Sequence, residues 1–227
     1  MPINYSNDPK PSIKAGLFGQ PKRGKTHNMC SLALTAFREL DLAGNIACIA
    51  TENWVPDWAE RLRKHSGKQL AICQTRSPAE ALKFAMECEA SKEISMLLID
   101  CASDLVQLPR DKFIADKGRP PKGAEYTQID LPFNRFVRWC ADTQLHWIAT
   151  LREEDERQEV DGNEVIIGKT GKGKFSEVPR LQVHCQLARA KNGSSDFVAH
   201  VTDTGGSHAT YSTPTSEHWA KHLERYK

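Results

Sequence analysis

The segment from Gly19 to Thr26 reads Gly-Gln-Pro-Lys-Arg-Gly-Lys-Thr and matches the pattern G-x-x-x-x-G-K-[ST] in full. An apolar run, Ile13 to Phe18, precedes it, and an amphipathic stretch from Lys25 to about Leu40 follows it. The pattern therefore lies between a predicted strand and a predicted helix, which is the context that a phosphate-binding loop requires. Glycines at both ends allow the backbone N–H groups to turn inward around a phosphate.

Each part of this loop has a predicted role. Lys25 would reach the β- and γ-phosphates of a nucleoside triphosphate, and the Thr26 hydroxyl would complete the coordination shell of Mg²⁺. The positive end of the following helix adds to the attraction for phosphate. The predicted cofactors are therefore ATP and Mg²⁺. The predicted cofactor-binding residues are Gly19, Gln20, Pro21, Lys22, Arg23, Gly24, Lys25, Thr26 and His27.

Length and composition limit the class of protein. At 227 residues, the chain fits one large α/β domain, and we expect an N-terminal arm over 1–11 and a single domain over 12–227. The formal net charge of +2 gives no overall field that would attract nucleic acid. The sequence shows no apolar run of bilayer length and no secretory signal, and its seven cysteines form no C-x-x-C pair. We expect a cytoplasmic protein that does not enter membranes.

Predicted strands and helices alternate after the loop, which is typical of a parallel sheet covered on both faces. Beyond Arg152 the pattern changes to short strands separated by glycines, and we expect antiparallel edge strands there. A segment rich in Pro, Gly and charge, from Arg110 to Gln128, predicts a long mobile loop. The predicted strands are Asn45–Thr51, Leu70–Gln74, Ile94–Asp100, Leu145–Leu151, Glu164–Gly168, Leu181–Arg189 and Phe197–Thr202. The predicted helices that follow the first are Asp57–Lys64, Pro78–Ser91 and Leu131–Thr143.

Two carboxylates follow predicted strands. Asp100 ends the run Met-Leu-Leu-Ile-Asp, where an acid can hold Mg²⁺ beside the phosphate loop; its alternative role is the N-cap of a following helix. Glu52 lies just past the strand Asn45–Thr51, so it would lie in the ligand crevice of an open α/β sheet and could orient or deprotonate a water molecule. Its alternative role is a bond to a helix N-terminus.

The order of these parts over roughly residues 12 to 190 resembles the RecA-family ATPases, and the short length resembles the phage-type Sak group, which acts in single-strand annealing and recombination. This resemblance implies a RecA-like core, ATP hydrolysis with Glu52 activating the water, and assembly into a filament or ring on single-stranded DNA. It also makes a single-strand-binding protein a candidate partner. The polar sensor of the family, often Gln, would fall on Thr150 or Arg152, which departs from the family pattern.

The segment from Gly168 to Lys174 reads Gly-Lys-Thr-Gly-Lys-Gly-Lys and predicts a flexible, glycine-rich stretch. RecA-like cores complete their sites with basic residues of a neighbouring subunit, so Lys169, Lys172 and Lys174 are candidate catalytic residues that stabilise charge on the γ-phosphate. Two alternatives stay open. The lysines could contact the DNA backbone without sequence preference, or they could form a solvated tip.

A second basic set lies in the predicted loop after Asp100. Its members could bind single-stranded DNA, with aromatic side chains stacking on bases, or could simply keep the surface solvated. The basic residues are Arg110, Lys112, Lys117, Arg119 and Lys122, and the aromatic residues are Phe113 and Tyr126. Trp54 and Trp58 could flank an adenine, but their spacing favours packing in the core.

Two other functions compete with a DNA-dependent ATPase. One is a nucleotide-gated assembly or packaging factor that binds a protein partner instead of DNA. The other is a small-molecule kinase, which would need a lid with convergent arginines and an acceptor pocket; the sequence shows neither pattern.

Overall fold

The structure of the protein is a computed structural model, and it describes residues 11–51, 56–160, 163–189, 195–203 and 207–227. The strands are β1 (Lys14–Phe18), β2 (Asn45–Ala50), β3 (Leu70–Gln74), β4 (Ile94–Asp100), β5 (His146–Leu151), β6 (Glu153–Val160), β7 (Asn163–Gly171), β8 (Leu181–Arg189), β9 (Ser195–Asp203) and β10 (His208–Ser212). The α-helices are α1 (Lys25–Glu39), α2 (Pro56–Ser66), α3 (Pro78–Ser91), α4 (Asp104–Lys117), α5 (Ala124–Asp142) and α6 (Ser216–Leu223). Short 3₁₀ helices cover Lys174–Glu177 and Glu224–Tyr226.

Eight strands form one sheet in the order β10-β9-β8-β1-β5-β4-β2-β3. The strands from β8 to β3 run parallel, and β9 and β10 are antiparallel at one edge. The predicted α/β class with a mostly parallel sheet is confirmed. The predicted antiparallel edge strands at the C-terminal end are confirmed as well, with β9 antiparallel to both β8 and β10, while β8 joins the sheet by pairing parallel with β1. β1 is therefore an inner strand, and the loop that follows it lies at the centre of the carboxyl edge.

The core consists of two apolar layers, one on each face of the sheet. Successive residues of a strand point to opposite faces. In β4, Met96 and Leu98 therefore pack with α1, α2 and α6, whereas Leu97 and Ile99 pack with α3 and α5. This burial on both faces explains why the inner strands read as continuous apolar runs. Among the described residues, no helix has the length and apolar character needed to cross a bilayer.

The predicted mobile loop from Arg110 to Gln128 is wrong. Most of this segment is helical, because α4 runs to Lys117 and α5 begins at Ala124. Pro109 and Pro132 lie inside these two helices, and Pro132 falls within the predicted helix Leu131–Thr143. An ion pair between Arg110 of α4 and Asp130 of α5 holds the two helices together, which a sequence pattern cannot show.

The strands β6 and β7 form a separate two-stranded antiparallel ribbon. In this ribbon Asp155 lies opposite Lys169, and Glu153 lies opposite Gly171. The alternative of a solvated hairpin tip at Gly168–Lys174 is therefore wrong: this stretch forms the base of the ribbon and the start of the following 3₁₀ helix. Residues 161–162, between the two strands, lie outside the described residues.

Candidate nucleotide-binding site

The phosphate-binding loop connects the end of β1 to the start of α1, as predicted. Gly19 and Gly24 both have positive φ, of 151° and 78°. A Cβ atom on Gly19 would lie 2.3 Å from the carbonyl oxygen of Cys185, and one on Gly24 would lie 2.8 to 3.3 Å from ring atoms of Phe197. Backbone angles and close packing therefore both require glycine at the two ends of the loop.

Lys25 lies folded over the loop. Its Nζ donates hydrogen bonds to the carbonyl oxygens of Gly19 at 2.9 Å and Gln20 at 2.8 Å. The first turn of α1 contains no acidic residue, and the N–H groups at the start of a helix attract anions. The loop therefore combines the Lys25 ammonium group with the N-terminus of α1, and both favour the binding of phosphate groups.

Asp100 and Thr26 lie together, as a shared metal site requires. Thr26 Oγ1 donates to Asp100 Oδ2 at 3.1 Å, and the hydroxyl of the fully buried Thr150 donates to Asp100 Oδ1. Carboxylate and hydroxyl oxygens are ligands that suit Mg²⁺. The alternative that Asp100 caps a helix is wrong, because α4 begins at Asp104 with Ser103 as its N-cap.

Three residues considered for the site follow β2, and Trp58 alone of them lies in the described part of the chain. Glu52, the candidate that activates water, and Trp54 lie outside the described residues. Thr51, which precedes Glu52, is buried, and its backbone N–H donates to the carbonyl oxygen of Asp100. Trp58 is buried in the core layer beside α1, so its predicted packing role is confirmed.

The two candidate sensor residues occupy different environments. Thr150 is enclosed and bonded to Asp100. Arg152 lies half exposed in a cleft of about 790 Å³ that it shares with Gly19, Gln20 and Pro21. A residue that senses the γ-phosphate directly must be accessible to the bound nucleotide, and the structure makes Arg152 the accessible one of the two.

Asp104 is a candidate that sequence reasoning missed. It is 3% exposed, and its Oδ1 lies 2.7 Å from Arg152 Nη2 in an ion pair whose angles are not those of a linear hydrogen bond. Its Oδ2 lies 3.3 Å from Thr51 Oγ1. The signal for it was a second carboxylate shortly after a strand end, in Asp-Cys-Ala-Ser-Asp.

The structure does not bring the three candidate lysines together. Lys169 forms an ion pair with Asp155 and lines the cleft beside the phosphate loop of its own chain; the hydrogen bond to Asp155 raises the pKa of Lys169. Lys172 donates to Gln107 Oε1 of α4 at 3.1 Å. Lys174 lines a separate cleft with Lys14, at the amino end of β1 and so at the opposite end of that strand from the loop. Their role in a neighbouring subunit stays a prediction.

Two of the five basic residues proposed for DNA are paired with acids. Arg110 pairs with Asp130, and Arg119 pairs with Glu125, where Arg119 lowers the pKa of the Glu125 carboxyl to about 2. The same arginines cover the two candidate stacking rings, with Arg110 over Tyr126 at 5.5 Å and Arg119 over Phe113 at 5.7 Å.

The other three basic residues of this set are lysines without an ion pair to any described residue, and they are Lys112, Lys117 and Lys122. Lys112 lines a cleft of about 880 Å³ together with Arg76, between the start of α3 and α4. The lysines are therefore the part of the basic set with charge available to bind phosphates.

Comparison with known proteins supports the fold. No protein-family model matches the chain, and no curated protein matches it in sequence. Among solved structures it is similar to a KaiC-like protein from the hyperthermophilic archaeon Pyrococcus horikoshii, with a TM-score of 0.56 and 14% identity over 88% of this chain and 84% of the other. At this identity the likeness shows the fold alone. The likeness supports the α/β fold with a mostly parallel sheet flanked by helices that the order of motifs implied.

Proposed function

We propose that this protein is a Mg²⁺-dependent ATPase of the RecA-like type. One observation carries the proposal: Thr26, which follows the loop lysine, shares a hydrogen bond with Asp100 at the end of β4. A phosphate-binding loop and a strand-end carboxylate in contact form the site that phosphoryl transfer requires.

Different residues of the site bind the phosphates, hold the metal ion and activate the attacking water. The backbone N–H groups of Gly19–Thr26 and the Lys25 ammonium hold the phosphates and stabilise the charge that develops on the γ-phosphate. Thr26 and Asp100 would hold Mg²⁺, which when bound neutralises charge on the phosphate oxygens. Glu52 is the residue proposed to orient or deprotonate the attacking water.

We further propose that the ATPase acts on single-stranded DNA in phage recombination or annealing in the bacterial cytoplasm, as a filament or ring. The resemblance in motif order supports this role, and a single-strand-binding protein is a candidate partner. Lys112, Lys117 and Lys122 are the residues with which we expect the chain to contact DNA phosphates. In an oligomer, Lys169, Lys172 or Lys174 would approach the nucleotide of the neighbouring subunit.

One observation favours a second candidate, a nucleotide-gated factor that binds a protein partner. Residues 153–171, which contain the ribbon, carry seven acidic and two basic side chains. Val165, Ile166 and Ile167 of this ribbon are 44%, 57% and 54% exposed. An acidic, apolar surface repels DNA phosphates and suits a protein surface that is apolar and basic.

A DNA-binding assay separates the two candidates. Labelled single-stranded DNA should shift with the protein and ATP, should not shift without ATP, and should be released as salt rises. Changing Lys112, Lys117 and Lys122 to Gln should weaken this shift. A control that removes the same charge elsewhere, with Lys64, Lys83 and Lys221 changed to Gln, should leave it unchanged.

Several outcomes of this experiment would redirect the proposal. No shift under any nucleotide condition, together with ATP turnover that ignores DNA, would favour the protein-partner function. Turnover that rises with a small acceptor would indicate a kinase. Light scattering with and without ATP gives the size of the assembly in the same samples.

A further inference from the structure

Asp104 connects the ends of two strands that both border the site. Its carboxylate contacts Thr51, which follows β2, and Arg152, which follows β5. Thr51 Oγ1 also accepts a hydrogen bond from the backbone N–H of Cys101 at 3.0 Å. The Arg152 backbone N–H donates to Ser103 Oγ at 3.0 Å. The start of α4 is therefore fixed on both sides by bonds to these two strand ends.

Because Asp104 is buried, its negative charge needs a positive partner, and Arg152 provides one. A carboxylate that is 3% exposed is costly unless it is paired and hydrogen-bonded. The first turn of α4 supplies a favourable helix dipole for the negative charge. Arg152 supplies the positive partner while the Arg152 side chain stays 52% exposed toward the cleft. One end of the guanidinium is thereby anchored, and the side chain lines the same cleft as Gly19, Gln20 and Pro21 of the phosphate loop.

We propose that Asp104 is a positioning residue, which holds Arg152 beside the phosphate loop and links it to Thr51 just after the end of β2. A guanidinium has five N–H donors in a rigid plane, so it can keep its ion pair with Asp104 and donate to a γ-phosphate at the same time. A γ-phosphate bound by Arg152 then changes the electrostatic attraction between Arg152 and Asp104, whose Oδ2 contacts Thr51. This inference rests on the proposed ATPase function.

A double-mutant cycle tests the link between the two residues. Asp104→Asn keeps the shape and removes the charge, and Arg152→Ala removes the guanidinium. Each should lower kcat for ATP about tenfold and change KM for ATP by less than about threefold, since the loss concerns the transition state more than binding. In the Arg152→Ala background, Asp104→Asn should lower kcat by less than about twofold more.

Two results of this mutant cycle would contradict the proposed role of Asp104. Asp104→Asn that leaves kcat unchanged, or that lowers it as much in the Arg152→Ala background as in the wild type, would overturn the positioning role. Urea denaturation of each variant identifies losses that arise from unfolding. Arg152→Lys provides a second probe: it keeps the charge but loses the planar fork, and it should restore only part of the rate lost in Arg152→Ala.

Measured affinities for nucleotides test the role of Asp104 independently of ATP hydrolysis. We expect the wild type to bind a non-hydrolysable ATP analogue more tightly than ADP, and this preference should fall by the same factor in both single variants and in the double variant. A preference that persists in Asp104→Asn overturns the positioning role. Wild-type protein that binds the analogue but shows no ATP turnover contradicts the ATPase proposal, and the affinity cycle still decides the role of Asp104. Wild-type protein that binds neither nucleotide overturns both.

Discussion

Replacing Gly24 by alanine tests how tightly the phosphate loop is packed against the antiparallel edge of the sheet. The positive φ of 78° at Gly24 costs an alanine about 1–2 kcal/mol, of which about 0.4–1 kcal/mol is offset by the lower entropy of the unfolded chain. The new Cβ would also lie 2.8 Å from Cδ1 of Phe197, and such overpacking typically costs about 1–3 kcal/mol. We expect Gly24→Ala to lower the free energy of unfolding by about 2–4 kcal/mol.

Gly67 is the matched control, because its φ is 66° and nothing lies within 4 Å of an added Cβ. Gly67→Ala should cost about 1 kcal/mol or less, from backbone strain alone. The comparison uses urea denaturation of four variants: Gly24→Ala, Gly67→Ala, Phe197→Ala, and the double variant that combines Gly24→Ala with Phe197→Ala. The combined variant should be less destabilised than the sum of its two single changes. Equal losses for Gly24→Ala and Gly67→Ala, or strict additivity, would refute the packing argument.

Three further predictions concern stability and reactivity. Trp219→Ala should cost about 3–5 kcal/mol in urea denaturation, because the ring is 0% exposed and its Nε1 donates to Ser31 Oγ. Burial lowers the pKa of His146 below its ordinary value of 6.5, so the unfolded chain binds a proton that the folded chain excludes. Stability should therefore fall as pH drops below about 6.5, and less steeply in His146→Asn, whose amide oxygen can still accept the Ile13 N–H. Burial raises the pKa of the Cys185 thiol to about 12, so iodoacetamide at pH 8 should label it only after unfolding in urea.

The parts of the fold that sequence reasoning predicted are those with local signals. The phosphate loop has a fixed motif, and the predicted helix Pro78–Ser91 follows a serine that can cap it: in the structure Ser77 Oγ accepts the Glu80 N–H. The inner strands show continuous apolar runs because both of their faces are buried. For such elements, a few neighbouring residues determine the structure.

The parts that were missed depend on contacts between residues distant in sequence. The helix α6 is held by Trp219, which packs beside α1 at the other end of the chain, and no local pattern identifies that partner. α4 was obscured by the Pro, Gly and charged residues of the segment from Arg110 to Gln128, and α4 is held to α5 by the ion pair between Arg110 and Asp130. The contact of Asp104 with Arg152 likewise depends on how β4 and β5 align.

The most direct test of the proposed function is the rate of phosphate release from ATP by purified protein with Mg²⁺. We predict measurable turnover in the wild type, stimulated by single-stranded DNA, and none in Lys25→Ala, because Lys25 stabilises the charge on the phosphates. We predict a strong loss in Asp100→Asn as well, since this change removes the carboxylate that would hold the metal ion. Turnover in Lys25→Ala equal to that of the wild type would contradict the assignment of Gly19–Thr26 as the catalytic phosphate site.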